Sequence, residues 1–111
     1  MIVWKKSMQL AKTVFDVTTT FPPGQRYVLV AQMQRAALSI VSNIAEGSRR
    51  TQREFHNFLR IAFGSASELE VQIRLSSERG YLDSTASKKL HEDLGHVLRF
   101  LNRTLRALKT Y

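Results

Sequence analysis

Apolar residues recur along this chain at the three- and four-residue intervals of an α-helix, and no stretch alternates like a strand over a useful length. The pattern predicts four helical segments separated by short breaks. The first runs from about Trp4 to Thr19, with Met8, Ala11, Val14, Phe15 and Val17 on its apolar side. Phe21-Pro22-Pro23-Gly24 stops it, because proline has no N–H with which to continue the ladder. The second spans about Gln25 to Glu46, and Gly47 follows where a left-handed C-terminal cap is wanted. Thr51 and Glu54 form a T-x-x-E capping box for the third, which extends to about Arg79. Gly80 suits its end, and Tyr81 and Leu82 can fold back as the apolar contact beyond it. Asp83 or Ser84 caps the fourth, whose stripe is Leu90, Leu94, Val97, Leu101, Leu105 and Leu108. Gly95 interrupts that helix at about 1 kcal/mol relative to alanine. Short connections lay sequential helices antiparallel, which gives an all-α, up-down-up-down four-helix bundle as a single domain over residues 1–111. Its interior is predicted to hold Ile40, Ile44, Leu59, Ala62, Leu69, Leu94, Val97 and Leu101.

Two helices carry more than a core face. On the second, Ala37, Ile40, Val41 and Ile44 share one side, while Arg35, Ser39, Ser42, Asn43 and Glu46 occupy the other. A face meant only for water would favour Lys and Glu, which are better helix formers than Ser and Asn. Short side chains let a second backbone approach. On the third, Phe55, Leu59, Ala62, Ala66, Leu69 and Ile73 make the core face, with Phe58 and Phe63 on the flanks. Ile61, Gly64, Val71 and Leu75 lie towards the opposite side, near Glu68. A solitary bundle has no need of a second apolar face. The expected subunit interface of a cyclic homo-oligomer is therefore Ser39, Ser42, Asn43, Glu46, Gly64, Glu68, Val71 and Leu75. Asn43 and Glu46 can also be read as a ligand-binding surface. Hydrogen bonding across helices and at the turn is favoured, because such groups near helix ends commonly satisfy orphan backbone donors.

Arg35 to Gly47 (RAALSIVSNIAEG) and Glu54 to Glu70 (EFHNFLRIAFGSASELE) carry a specific resemblance. Together with Val3-Trp4-Lys5, Phe21-Pro22-Pro23 and Gly80-Tyr81-Leu82, they make nearly the whole chain similar to bacterial four-helix-bundle proteins encoded within intervening sequences of large-subunit ribosomal RNA genes. The resemblance implies an all-helical protein that associates as a homopentamer. It also implies kinship in fold with the accessory subunit of the reverse transcriptase of diversity-generating retroelements, which is basic and engages nucleic acid. Within the resemblance, Ser42, Asn43, Glu46 and Gly47 belong to the S-N-I-A-E-G element.

Charge adds a partner class. Seventeen Lys and Arg against nine Asp and Glu give a net +8 over 111 residues, and a domain so basic points to anionic partners, nucleic acid first. Excess charge that only keeps the chain soluble is the bland alternative. Arg49, Arg50 and Arg53 cluster at the start of the third helix, with His56 and Arg60 further in. Guanidinium groups and free backbone amides there suit phosphate, although a solvated turn relieved by Glu54 is an equal reading. Lys89, His96, Arg99, Arg103 and Arg106 share a face of the fourth helix, and Lys109 follows with no acid after Asp93. This track suits non-specific phosphate contacts to RNA or DNA, or else is the solvated side of an amphipathic helix. The lack of acids favours the former. No RNA-recognition motif, helix-turn-helix pattern or aromatic base-stacking platform points to sequence-specific reading.

The remaining chemistry is excluded residue by residue. Without cysteine there are no disulfides, thiolate nucleophiles or Cys-type zinc sites. Among His56, His91 and His96, only Asp93-x-x-His96 has the spacing of a bundle metal ligand pair, and it occurs once. No metal or other cofactor is expected. No glycine-rich phosphate loop, P-loop lysine, His-Glu-x-x-His or Gly-x-Ser-x-Gly is present, and Ser65 with Glu68 lacks a nearby histidine in sequence. Catalysis is not expected. The start of the chain has no apolar signal core and no apolar run approaches a membrane span, which predicts a cytoplasmic protein with no membrane partner. The functional reading is a non-catalytic, basic oligomer that binds structured RNA or DNA and serves as an accessory to a nucleic-acid enzyme, such as a reverse transcriptase. The alternative is a protein-interaction scaffold whose charge is incidental.

Overall fold

The computed structural model of the protein describes residues 2–108. It contains four α-helices, α1 (Ile2–Thr18), α2 (Ala31–Gly47), α3 (Gln52–Glu78) and α4 (Ser84–Leu108), and no strand among the described residues. The longest helix, α3, rises about 40 Å at 1.5 Å per residue. The molecule measures only 45 × 23 × 20 Å, so each turn must return the chain alongside the helix before it. Three contacts fix α2 against α3 in antiparallel register. Ser76 donates to Met33 Sδ at 3.4 Å, Ser39 and Ser65 hydroxyls meet at 2.7 Å, and Gly47 packs on Phe55 and Phe58. Gln34 donates to Thr18 Oγ1 between α1 and α2, Ser77 and Ser87 join α3 to α4, and α4 closes against α1.

The eight residues predicted to fill the interior do so. Ile40, Ile44, Leu59, Ala62, Leu69, Leu94, Val97 and Leu101 are all buried, and Leu10, Val14, Met33, Ile73 and Leu90 complete the core. Leu105 and Leu108 are only half-buried, since they lie in the last turns of α4. Phe15 requires correction: it is 37% exposed. It stands on the flank of α1, in a shallow groove with Ala31 and Leu38 of α2. The true inward stripe of α1 uses Val3, Ser7, Leu10, Ala11, Val14 and Thr18. Its two hydroxyls are satisfied locally, Ser7 donating to the Trp4 carbonyl and Thr18 to that of Val14, both at 2.8 Å.

The helix ends follow local chemistry. Gly80 adopts φ +79°, the left-handed conformation that favours glycine, and the Tyr81 N–H reaches back to the Ser76 carbonyl. Asp83 is the cap of α4, its Oδ1 accepting from the Ala86 N–H at 2.7 Å. Two expectations fail. The second helix does not begin as an α-helix at Gln25. A 3-10 turn over Pro23–Gln25 and a π-helical turn over Arg26–Val30 come first. The wide turn keeps Leu29 buried while Tyr27 and Val28 project outward at 85% and 60% exposure. Gly47 is not a left-handed cap either, because it is the buried last residue of α2 and has no positive φ. Its role is close approach: a Cβ there would sit 2.8 Å from both Phe55 Cδ1 and Phe58 Cβ. Gly95 leaves α4 unbroken, and the Arg99 guanidinium lies over it.

The expectation about membrane spans also needs correction. By length and composition, the 25-residue helical stretch Pro23–Gly47 is apolar enough to cross a membrane, with mean hydropathy 1.2. Met33, Ala36, Ala37, Ile40, Val41 and Ile44 are buried in the bundle, so this apolarity builds the core of the protein.

Candidate nucleic-acid interface

The turn between α2 and α3 is held by a compact polar knot. Thr51 Oγ1 accepts from the Glu54 N–H at 3.2 Å, and Glu54 Oε1 accepts from both the Thr51 N–H and its hydroxyl, at 3.3 and 2.9 Å. This is the reciprocal capping box anticipated from T-x-x-E. Arg50 joins it from the turn. Its Nε and Nη2 donate to Glu46 Oε2 at 3.0 and 2.7 Å, Nη1 lies 3.5 Å from Glu54 Oε2, and the guanidinium sits 5.6 Å from the Phe58 ring centroid. The hydrogen bond to Glu46, and then its charge, raise the Arg50 pKa above the ordinary arginine value.

Hydrogen bonds from the Thr51 hydroxyl and N–H hold the Glu54 carboxyl below its usual range, with Arg50 adding a smaller pull. A carboxyl depressed in the folded state stabilises that state above its unfolded pKa, about 4.3. That contribution is lost as pH falls through the lower folded value. Protection of the Glu54 amide, taken relative to its intrinsic exchange rate at each pH, should therefore fall on acidification below pH about 4. Glu54→Gln should remove this part of the pH dependence, which exchange measured by NMR will read.

This knot divides the predicted arginine cluster. Arg50, expected as a phosphate ligand, engages two carboxylates and braces the turn. Arg49, Arg53 and Arg60 are exposed and make no ion pair among the described residues. A similar division runs along α4. Lys89 is paired with Asp93 at 3.0 Å. Arg99 Nη2 donates to His96 Nδ1 at 3.0 Å, so the Asp93-x-x-His96 spacing is taken up by two unrelated side-chain pairs. Arg103 and Arg106 are exposed without an ion pair. No group of three or more potential metal ligands stands together among the described residues.

Antiparallel topology gathers the free cations. The start of α1, the end of α2, the start of α3 and the end of α4 share one end of the bundle. Lys5, Lys6, Arg49, Arg53, Arg103 and Arg106, all exposed, therefore lie at that end. Its acids, Glu46 and Glu54, are turned to Arg50. The Arg99–Arg103–Arg106 face of α4 continues this positive surface up the side. Lys109 falls outside the described residues.

The residues expected at a subunit interface separate into two sets. Ser39 is half-buried and bonded to Ser65, Asn43 donates to the Ser39 carbonyl at 2.8 Å, and Glu46 holds Arg50. The second backbone that Ser39 admits is thus α3 of the same chain, while Asn43 bonds along α2 and Glu46 into the turn. Ser42, Gly64, Glu68, Val71 and Leu75 remain exposed, as do Ile61 and Leu38. Gly64 meets nothing within 4 Å of where a Cβ would project.

Two features were missed from the sequence. The Arg50 knot joins residues whose neighbours are set only once the turn has formed, although an acid four residues before and another four after Arg50 were visible signals. The exposed Tyr27 lines a cleft of 590 Å³ with Pro22, Pro23 and Arg26, where the chain crosses from α1 to α2. In the sequence Tyr27 falls within a segment whose periodicity predicts an ordinary helix.

No curated protein matches the chain. Among solved structures it is similar to a protein of unknown function from the S23 ribosomal protein family of Bacteroides thetaiotaomicron. The two are 24% identical and superpose with a TM-score of 0.85 over 93% of this chain and 97% of the other, a likeness of fold. The model of the 23S rRNA-intervening sequence proteins matches residues 1–103, and the chain belongs to that family.

Proposed function

We propose that this protein is a non-catalytic, basic homo-oligomer, pentameric as the resemblance implies, that binds structured RNA or DNA through phosphate contacts. In this reading it holds nucleic acid as an accessory to an enzyme such as a reverse transcriptase. The observation that carries the proposal is the gathering of unpaired cations at one end of the bundle and along α4. The two local acids, Glu46 and Glu54, are both engaged by Arg50. The family's connection with 23S rRNA intervening sequences supports the choice of nucleic acid as the anion.

Contacts of this kind release counterions, so affinity for an RNA hairpin or a DNA duplex should fall steeply from low to moderate salt. Charge reversal at Arg99 and Arg103 should weaken binding to both and lower the slope of log affinity against log salt by about 2. Helicity and mass should not change. If the oligomer retards neither RNA nor DNA in a gel even at low salt, the proposal fails. The exposed apolar residues Leu38, Ile61, Val71 and Leu75 would then favour a protein-interaction scaffold.

Assembly has its own support. Glycine within an exposed helical stretch costs about 1 kcal/mol relative to alanine. Gly64 has open space above it and apolar neighbours at Ile61 and Val71, which suits the close approach of another copy. Light scattering should give a mass well above the 12.7 kDa chain. Gly64→Arg should bring it down towards one chain without changing the circular dichroism spectrum, whereas a monomeric wild type would refute the interface.

A further inference from the structure

We propose that the cleft at the α1–α2 crossing holds an unpaired nucleotide, its base stacked on Tyr27 and its phosphate beside Arg26. This inference rests on the nucleic-acid reading above and adds to it a class of substrate: a strand with at least one base free of pairing.

The cleft is built from the sequence upward. Pro22 and Pro23 end α1 and set the 3-10 turn, and the π-helical turn that follows throws Tyr27 outward until it is 85% exposed. An exposed ring in a soluble domain leaves apolar surface in water, and beside an arginine it presents both a π-face and a positive charge. The cleft's 590 Å³ lies within the range of about 300–1,000 Å³ usual for small-ligand sites. Its floor is firm, because Phe21 is buried and its ring packs on Tyr81 with centroids 5.5 Å apart.

Polar groups stand along the same wall. Thr19 spends its hydroxyl proton on the Asp16 carbonyl at 2.7 Å, which leaves its oxygen able to accept. Gln34 donates its amide to Thr18, which leaves its carbonyl able to accept from a base edge. An aromatic face, a guanidinium and hydrogen-bond acceptors are the parts with which proteins take up unstacked bases. A phosphate alone would have no use for Tyr27, and a purely apolar peptide would leave Arg26 and Gln34 unanswered.

The test uses the intact oligomer and fluorescence anisotropy at low salt. The probes are a short fluorescein-labelled oligoadenylate and a strand of equal length and charge that lacks bases. Wild type should bind the base-bearing strand more tightly. Tyr27→Ala should weaken that binding by about 5- to 150-fold, the range set by loss of one stacked base, and leave the abasic strand unaffected. Tyr27→Phe should retain wild-type affinity. Equal affinity of wild type for the two strands overturns the proposal, as does Tyr27→Ala binding oligoadenylate like wild type. A change of mass in Tyr27→Ala also overturns it, since the ring would then be a subunit contact. In these three cases salt-sensitive binding of both strands leaves the phosphate reading standing. If wild type binds neither strand nor a hairpin, both readings fall together.

Discussion

Leu101→Asp should unfold the bundle. Leu101 is fully buried in α4, enclosed by the core that α1 to α4 build together. Removing its side chain forfeits about 2–5 kcal/mol from the lost burial and the cavity alone. Aspartate then faces two poor options: a charge without a partner, or a protonated carboxyl without one. Either adds several kcal/mol, because the core that encloses it is apolar. The total reaches the stability of a typical small domain, about 5–15 kcal/mol. Loss of the helical circular dichroism signal at 25 °C will check this outcome. Leu105→Asp, at a half-buried position one turn further on, should keep the fold and lower the melting temperature only modestly.

Gly47→Val should be nearly as damaging for a different reason. The site is buried, and its hydrogens face Phe55 and Phe58, which fill the space where a side chain would go. A Cβ at 2.8 Å from the Phe55 ring and from the Phe58 Cβ forces either α2 or α3 to shift, since neither a ring edge nor a Cβ is the free end of a flexible chain. Overpacking of this kind costs about 1–3 kcal/mol, and the branched valine takes it to the upper end. The displaced residues include the base of the Arg50 knot, so the α3 capping box should loosen as well. Denaturant melts will report the loss. Gly24→Ala is the control, because the same addition there meets nothing within 4 Å and should leave the stability within about 0.5 kcal/mol of wild type.

Gly47 marks the boundary of what the sequence makes legible. Periodicity places the core correctly wherever an apolar stripe is continuous, as at Leu90, Leu94, Val97 and Leu101. Capping chemistry is equally plain, because Thr51 and Glu54 meet within one turn, and Gly80 needs only its own backbone. Gly47 resists such reading: the reason for its missing side chain lies in α3, eight and eleven residues away. Phe15 fails similarly, for periodicity records that a residue is apolar and not whether a neighbouring helix reaches over it. Ser7 and Thr18 are hidden by the converse, as polar side chains that bond to their own helix and can be buried without penalty. The π-helical turn has no local signature beyond the prolines before it, and so Tyr27 is invisible as a surface feature until the chain is folded. Among the basic residues, sequence gives the charge but not its employment. Arg50 and Arg49 are neighbours, and only one is free.

The outer face of α4 sets a limit on what one copy of the chain can grip. Arg99, Arg103 and Arg106 climb only about 10 Å along the helix axis at 1.5 Å per residue. That distance matches about three steps of a nucleic-acid strand at 3.4 Å each. In the proposed reading, this face of α4 by itself follows a backbone for only a few nucleotides, too short a footprint for lasting residence. Retention of a long or folded strand becomes a matter of how many such rulers are laid side by side, and in what orientation. Assembly, on this arithmetic, is the quantity that turns a brief encounter into a hold.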